Sequence, residues 1–141
     1  MKKYFLAEQL KYRHTFLKGL AILMPLVSVF FAAWLTHVFF AVDSYNWWYM
    51  GLYPGLIGIL CGIIGGKDKG KKNATIWSLP CSMGKIWDAK ILVAALLSAA
   101  AVCCCIILTL IVGTVMERAL HITFILRPSV TMQLAAGILM W

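Results

Sequence analysis

Three stretches of this chain carry no Asp, Glu, Lys or Arg: Gly19 to Val42, Ser44 to Gly66 and Ile91 to Met116, with 24, 23 and 26 residues. A helix rises about 1.5 Å per residue, so roughly 20 residues cross the ~30 Å hydrocarbon core of a bilayer, and a helix satisfies its own backbone polar groups there. The pattern predicts three transmembrane helices. Of the 141 residues, 62% are hydrophobic and 13% charged, well above the roughly 45–50% apolar share of a soluble domain. An ordinary soluble enzyme is excluded. A fourth uncharged stretch, Pro128 to Trp141, would reach only about 21 Å as a helix. It is expected to be the start of a fourth span, so the chain is expected to be a truncated product or a fragment of a longer polypeptide. The expected fold class is all-α, a polytopic membrane helical bundle with about three and a half spans. Its predicted order is an interfacial segment over 1–18, spans over 19–42, 47–66 and 91–116, an outer turn over 43–46, an inner loop over 67–90 and an outer loop over 117–127.

The net charge is +8, and placement decides its meaning. Lys2, Lys3, Lys11, Arg13 and Lys18 precede the first span, and Lys67, Lys69, Lys71, Lys72, Lys85 and Lys90 separate the second from the third. Only Arg118 and Arg127 follow the third. Because cytoplasmic flanks collect Lys and Arg, the amino terminus and the 67–90 loop are predicted to be cytoplasmic. Trp47, Trp48 and Tyr49 fit an aromatic belt at the outer interface, and Trp87 fits the inner one. A cleavable signal peptide has an apolar core of about 7–15 residues, shorter than the first stretch here. Nucleic acid is not an expected partner, because the cations flank spans and lack interleaved aromatic platforms.

From Lys3 to Lys18 a helical wheel puts Phe5, Leu6, Leu10, Tyr12, Phe16 and Leu17 on one half, with Lys3, Glu8, Lys11, His14, Thr15 and Lys18 on the other. Two readings fit: an amphipathic helix lying in the lipid interface, or a solvated start to the first span. Along the second span Gly51, Gly55, Gly58, Gly62 and Gly65 or Gly66 recur every three or four residues, a ribbon that lets another helix approach closely. Ala94, Ser98, Ala101 and Cys105 offer a strip to match it on the third span. The ribbon serves either static packing or a moving interface. Pro25 and Pro54 each remove a backbone hydrogen bond and can kink their spans.

No catalytic constellation is found. Gly65 to Lys72 nearly spells the phosphate-binding loop G-x-x-x-x-G-K-[ST], but Lys72 offers no hydroxyl to magnesium and a membrane helix, not a strand, precedes it. Cys61, Cys81, Cys103, Cys104 and Cys105 lack metal-ligand spacing, and His14, His37 and His121 are scattered. Asp43, Asp88, Glu8 and Glu117 form no acid–base pair across the predicted topology. No cofactor or metal is expected on this chain.

The inner loop carries apolar residues that a solvated linker would not need. Asn73 can cap a short helix with Ile76, Trp77 and Leu79, Pro80 can end it, and Ser82 can cap the helix that becomes span three. That short helix either presents an apolar face to a partner or lies in the headgroups. The run Trp77-Ser-Leu-Pro80-Cys-Ser82, followed by Lys90 and a long apolar helix, resembles the inner loop of ABC-2 type transporter permeases. The start, Ala7-Glu8-Gln9-Leu10-Lys11-Tyr12-Arg13-His14-Thr15-Phe16, additionally resembles that of lantibiotic-immunity permeases. The resemblance implies a type V exporter-like fold with six spans per permease and a second permease subunit, the same or homologous. It also implies a separate ATP-binding subunit that hydrolyses ATP. Carried onto this sequence, it makes Ile76, Trp77, Leu79, Pro80 and Ser82 the ATPase-contacting coupling helix and Lys3 to Lys18 the elbow helix. It further implies a peptide cargo and a bacterial plasma membrane. A different class fits the same composition, a small noncatalytic scaffold or sensor whose basic loops bind anionic lipid or a soluble regulator.

Overall fold

The computed structural model describes residues 2–12, 15–67, 82–119, 121, 124 and 128–139. Every regular element among them is helical: α1 (Lys2–Lys11), α2 (Leu17–Leu35), α3 (Phe40–Trp47), a π-helical turn (Trp48–Leu52), α4 (Tyr53–Gly66), α5 (Met83–Ala119) and α6 (Val130–Leu139). Three helical units are long and apolar enough to cross a membrane: α2, the continuous unit Phe40–Gly66 and α5. With 37 residues, α5 is roughly 55 Å long, so its basic foot around Lys85 and Lys90 extends past any hydrocarbon core that its apolar middle crosses.

The helices run up, down and up. The turn between the first two spans lies at Thr36–Phe39, between α2 and α3, and not at 43–46 where Asp43, Ser44 and Asn46 suggest it. Thr36 and His37 close α2 by serving its last carbonyls. The Thr36 hydroxyl donates to Ala32 O at 3.3 Å, and His37 Nδ1 lies 2.9 Å from Ala33 O, which requires the Nδ1–H tautomer. Asp43 instead sits in the first turn of α3, where a carboxylate favours the helix dipole. Ser44 is buried and bonded inside the bundle. Residues that look like turn formers are here an N-terminal acid and an interhelical hydroxyl.

Pro54 has no N–H for the carbonyl one turn back, and the helix accommodates this by widening just before it. Across the π turn the Tyr53 N–H donates to Trp48 O, five residues earlier. The widening rotates Trp48 into the core, where it is fully buried, while Trp47 stays exposed. The expected belt of Trp47, Trp48 and Tyr49 is therefore divided between core and surface. Trp34, exposed one residue before the end of α2, is the large aromatic beside the turn.

The main core is a cluster of side chains from α2, the π turn, α4 and α5 around Leu17, Trp48, Leu56, Leu60, Ala101 and Cys105, joined by Tyr12 from the segment after α1. A smaller cluster of Val29, Ala32, Phe40 and Met116 closes the turn end. The apolar side chains on the outside, such as Ile22, Phe30, Ile107 and Ile111, are what a lipid-facing surface requires.

Candidate functional site

Inside the turn half of the bundle, polar groups meet in a seam. The buried Ser28 hydroxyl donates to Ser44 O at 2.9 Å. Ser44 and Thr109 hydroxyls lie 2.9 Å apart, and Thr109 donates to Cys105 O at 2.9 Å. Since Thr109 has one proton and spends it on that carbonyl, Ser44 is the donor to Thr109. Next to this chain Tyr45 donates to Gln133 Oε1 at 2.6 Å, and Gln133 Nε2 donates to Pro128 O at 2.9 Å. The seam thereby ties α2, α3, α5 and α6 together. Where no water enters, such groups must satisfy one another. Among the described residues, Trp48 Nε1 and the Tyr49 hydroxyl are buried without a hydrogen-bond partner.

Beside the seam, a groove of about 540 Å³ opens between the second span and α6. Val42, Tyr45, Tyr49, Met50, Met132 and Gln133 line it, and Tyr45 and Tyr49 stack with ring centroids 6.3 Å apart. Its walls suit an apolar or aromatic group, with the Tyr45–Gln133 pair and Asn46 as polar features. Among the described residues no three of His, Cys, Asp and Glu converge as metal ligands would.

At the opposite, basic end, Lys67 is the hub. Following the last turn of α4, its ammonium donates to Lys11 O and to Thr15 Oγ1 (2.7 Å) and sits 4.8 Å above the Tyr12 ring. Tyr12 in turn donates to Ile64 O at 3.3 Å. A cation at the carbonyl end of α1 complements that helix's dipole. Glu8 is buried, and its Oε1 accepts from Lys11 at 2.6 Å.

The residues singled out from sequence fall unevenly on this frame. Ile76, Trp77, Leu79 and Pro80 lie outside the described residues. Ser82 is exposed just before α5, its carbonyl accepting the Lys85 N–H at 3.1 Å. Within the segment expected to be an interfacial helix over 1–18, the helix ends at Lys11, and Leu17 belongs to α2. Leu6, Leu10 and Phe16 are exposed, Phe5 is half-buried and Leu17 is buried. Glu8, placed on the polar side by the wheel, faces the bundle with Tyr12 one turn on, because Lys11 neutralises its carboxylate there.

The glycine ribbon does not meet the small-residue strip of span three. A side chain added at Gly51, Gly55, Gly58, Gly62 or Gly66 would touch nothing within 4 Å, because the second span turns Leu56, Leu60 and Ile64 inward. That span is also the least covered, with 17% of its most apolar window buried against 39% for α2 and 33% for α5. The glycine at a close approach is Gly137 on α6, where a Cβ would come 2.6 Å from Ile106 Cδ1.

Ser28, Thr109 and Gln133 are buried polar residues that sequence reasoning passed over, and Ser44 was read as a turn residue. For Ser28 and Thr109 the signal was available: each is a lone hydrogen-bonding side chain amid apolar neighbours, which a membrane helix keeps only when it is satisfied. No family model matches the chain, and no curated protein or solved structure matches it.

Proposed function

We propose that the chain is the membrane-spanning permease subunit of an ABC transporter, exporting a lantibiotic or similar antimicrobial peptide from a bacterial plasma membrane. In this reading the amino terminus and the basic loop are cytoplasmic, and the chemistry belongs to a separate ATP-binding subunit. The observation that carries it is the gathering at one end of α1, the Lys67 hub and the foot of α5. Lys67 and Ser82 bracket the Trp77–Ser82 segment that resembles a coupling loop, so a push on that segment has a direct route into α1 through Lys67 and into the bundle through α5. A second permease subunit would complete the transport path. The groove beside Tyr45 and Gln133 suits an apolar side chain of a peptide cargo.

The test is affinity capture of the tagged chain from detergent-solubilised membranes together with an ATPase encoded beside it. Trp77→Glu and Leu79→Asp are expected to abolish capture of the ATPase while leaving membrane insertion intact. Undiminished capture by both variants, or labelling of Ser78→Cys by an impermeant thiol reagent on whole cells, overturns the reading. Absence of any ATPase from the wild-type capture replaces it with the scaffold or sensor reading.

A further inference from the structure

Under α1 lies a cleft to which the permease reading assigns no ligand. It has a volume of about 180 Å³, with Phe5, Leu17, Val93 and Leu97 among its apolar walls. Gln9 and Lys18 belong to it and also to an adjoining depression of about 240 Å³ that Leu6 and Leu10 border. Both Gln9 and Lys18 are exposed, so the polar groups stand where the cleft meets its surroundings and the apolar walls lie deeper.

Charge identifies the occupant. Among the other described cations at this end, Lys11 pairs with Glu8, Lys67 holds Lys11 O and Thr15, and Lys90 is buried with its ammonium 5.0 Å from the Trp87 ring centroid, while Lys85 is exposed on the foot of α5 and does not line the cleft. Lys18 makes no ion pair among the described residues. The acid nearest in sequence, Glu8, is taken by Lys11. An unpaired ammonium from α2 and an amide from α1 at the mouth of a narrow apolar cleft, beside the outward-facing Leu6 and Leu10 of α1, fit an amphiphile with an anionic head. We infer that this cleft is a binding site for one anionic phospholipid, an acyl chain lodged between α1 and α5 and the phosphate held by Lys18 and Gln9. Such a lipid would fill the space beneath α1 and join the Lys67 hub in holding that helix to the bundle.

Native mass spectrometry of the purified chain, after incubation with vesicles of equal phosphatidylglycerol and phosphatidylcholine, tests this. One retained phosphatidylglycerol per chain is expected, in preference to phosphatidylcholine. Lys18→Gln should lower that retention about fivefold, the weight of one interfacial cation, and lower phosphatidylcholine less, because its own ammonium already offsets the phosphate. Leu96→Trp fills the cleft from an exposed wall position and should reduce both lipids. Lys85→Gln, an exposed cation away from the cleft, should change neither. Protection of the buried Cys105 thiol from N-ethylmaleimide checks that each variant is folded. Equal retention of the two lipids by the wild type, equal losses in Lys18→Gln and Lys85→Gln, or an unaffected Leu96→Trp would overturn the site. No ATPase enters these readouts, so their failure leaves the permease reading standing.

Discussion

At the turn end, Ser28, Ser44 and Thr109 pass hydrogen bonds from helix to helix inside apolar surroundings, whereas at the basic end one exposed ammonium gathers a carbonyl, a hydroxyl and an aromatic ring. Both arrangements join elements far apart in sequence, but they answer to different solvents. The hydroxyl seam has no water or salt to compete with it, and its partners have nowhere else to turn. Around Lys67, water and ions are alternatives, so the attraction is weaker and is screened. The two ends are thus joined by contacts of different strength, a buried hydroxyl seam at one and an exposed cation at the other.

The largest effect is expected where the seam is both broken and overfilled. Ser44→Leu puts three carbons where one hydroxyl oxygen is fully buried and removes the donor to Thr109, costing about 1–3 kcal/mol by overpacking alone. Denaturation in mixed micelles should register the loss, and Cys105, now 1% exposed, should become reactive to N-ethylmaleimide. Retained stability and a protected thiol would show that the seam does not hold the spans together.

Tyr45→Phe removes only the hydroxyl that reaches Gln133, and interhelical hydrogen bonds in membranes average about 0.6 kcal/mol. A thiol placed on α6 at Ala136 should label faster in this variant, with the melting of the rest unchanged. Equal rates would mean that packing at Gly137 alone seats α6.

Smallest and most salt-sensitive is Lys67→Met. Loss of the cation over Tyr12 is worth about 0.5 kcal/mol at an exposed site. Hydrogen exchange across Lys2–Lys11 should therefore quicken at low salt, and the difference from wild type should shrink at 1 M salt. A difference that persists unchanged at high salt would place the latch in packing and not in charge, and would erase the contrast between the two ends.

Much of this frame was legible in the residues. Three uncharged stretches announce three spans, and the structure has three helices of that character. The turn was misplaced because Asp43, Ser44 and Asn46 have turn chemistry in water, and only the partners Ser28 and Thr109 make Ser44 an interior residue. Periodicity found the glycine ribbon correctly but not its direction. Leu56, Leu60 and Ile64 lie on another face of the same helix, and which face turns inward depends on what α2 and α5 offer. Glu8 was placed on the polar half with Lys11, its i,i+3 partner, and a wheel cannot show that this part of the helix packs against the bundle. Gln133 attracted no attention, since its partner Tyr45 lies 88 residues away.

The order of residues by itself determined that the chain is helical and how many helices can cross a bilayer, because uncharged length and backbone self-satisfaction are properties of each segment alone. It also determined where the cations lie relative to those helices. Tertiary structure decided the rest: the location of the turn, the outward aim of the glycines, the hydroxyls that share protons, and the ammonium that latches α1. Those outcomes depend on the rotation and height at which one helix meets another, and a residue's partner across the bundle is invisible until the helices are packed.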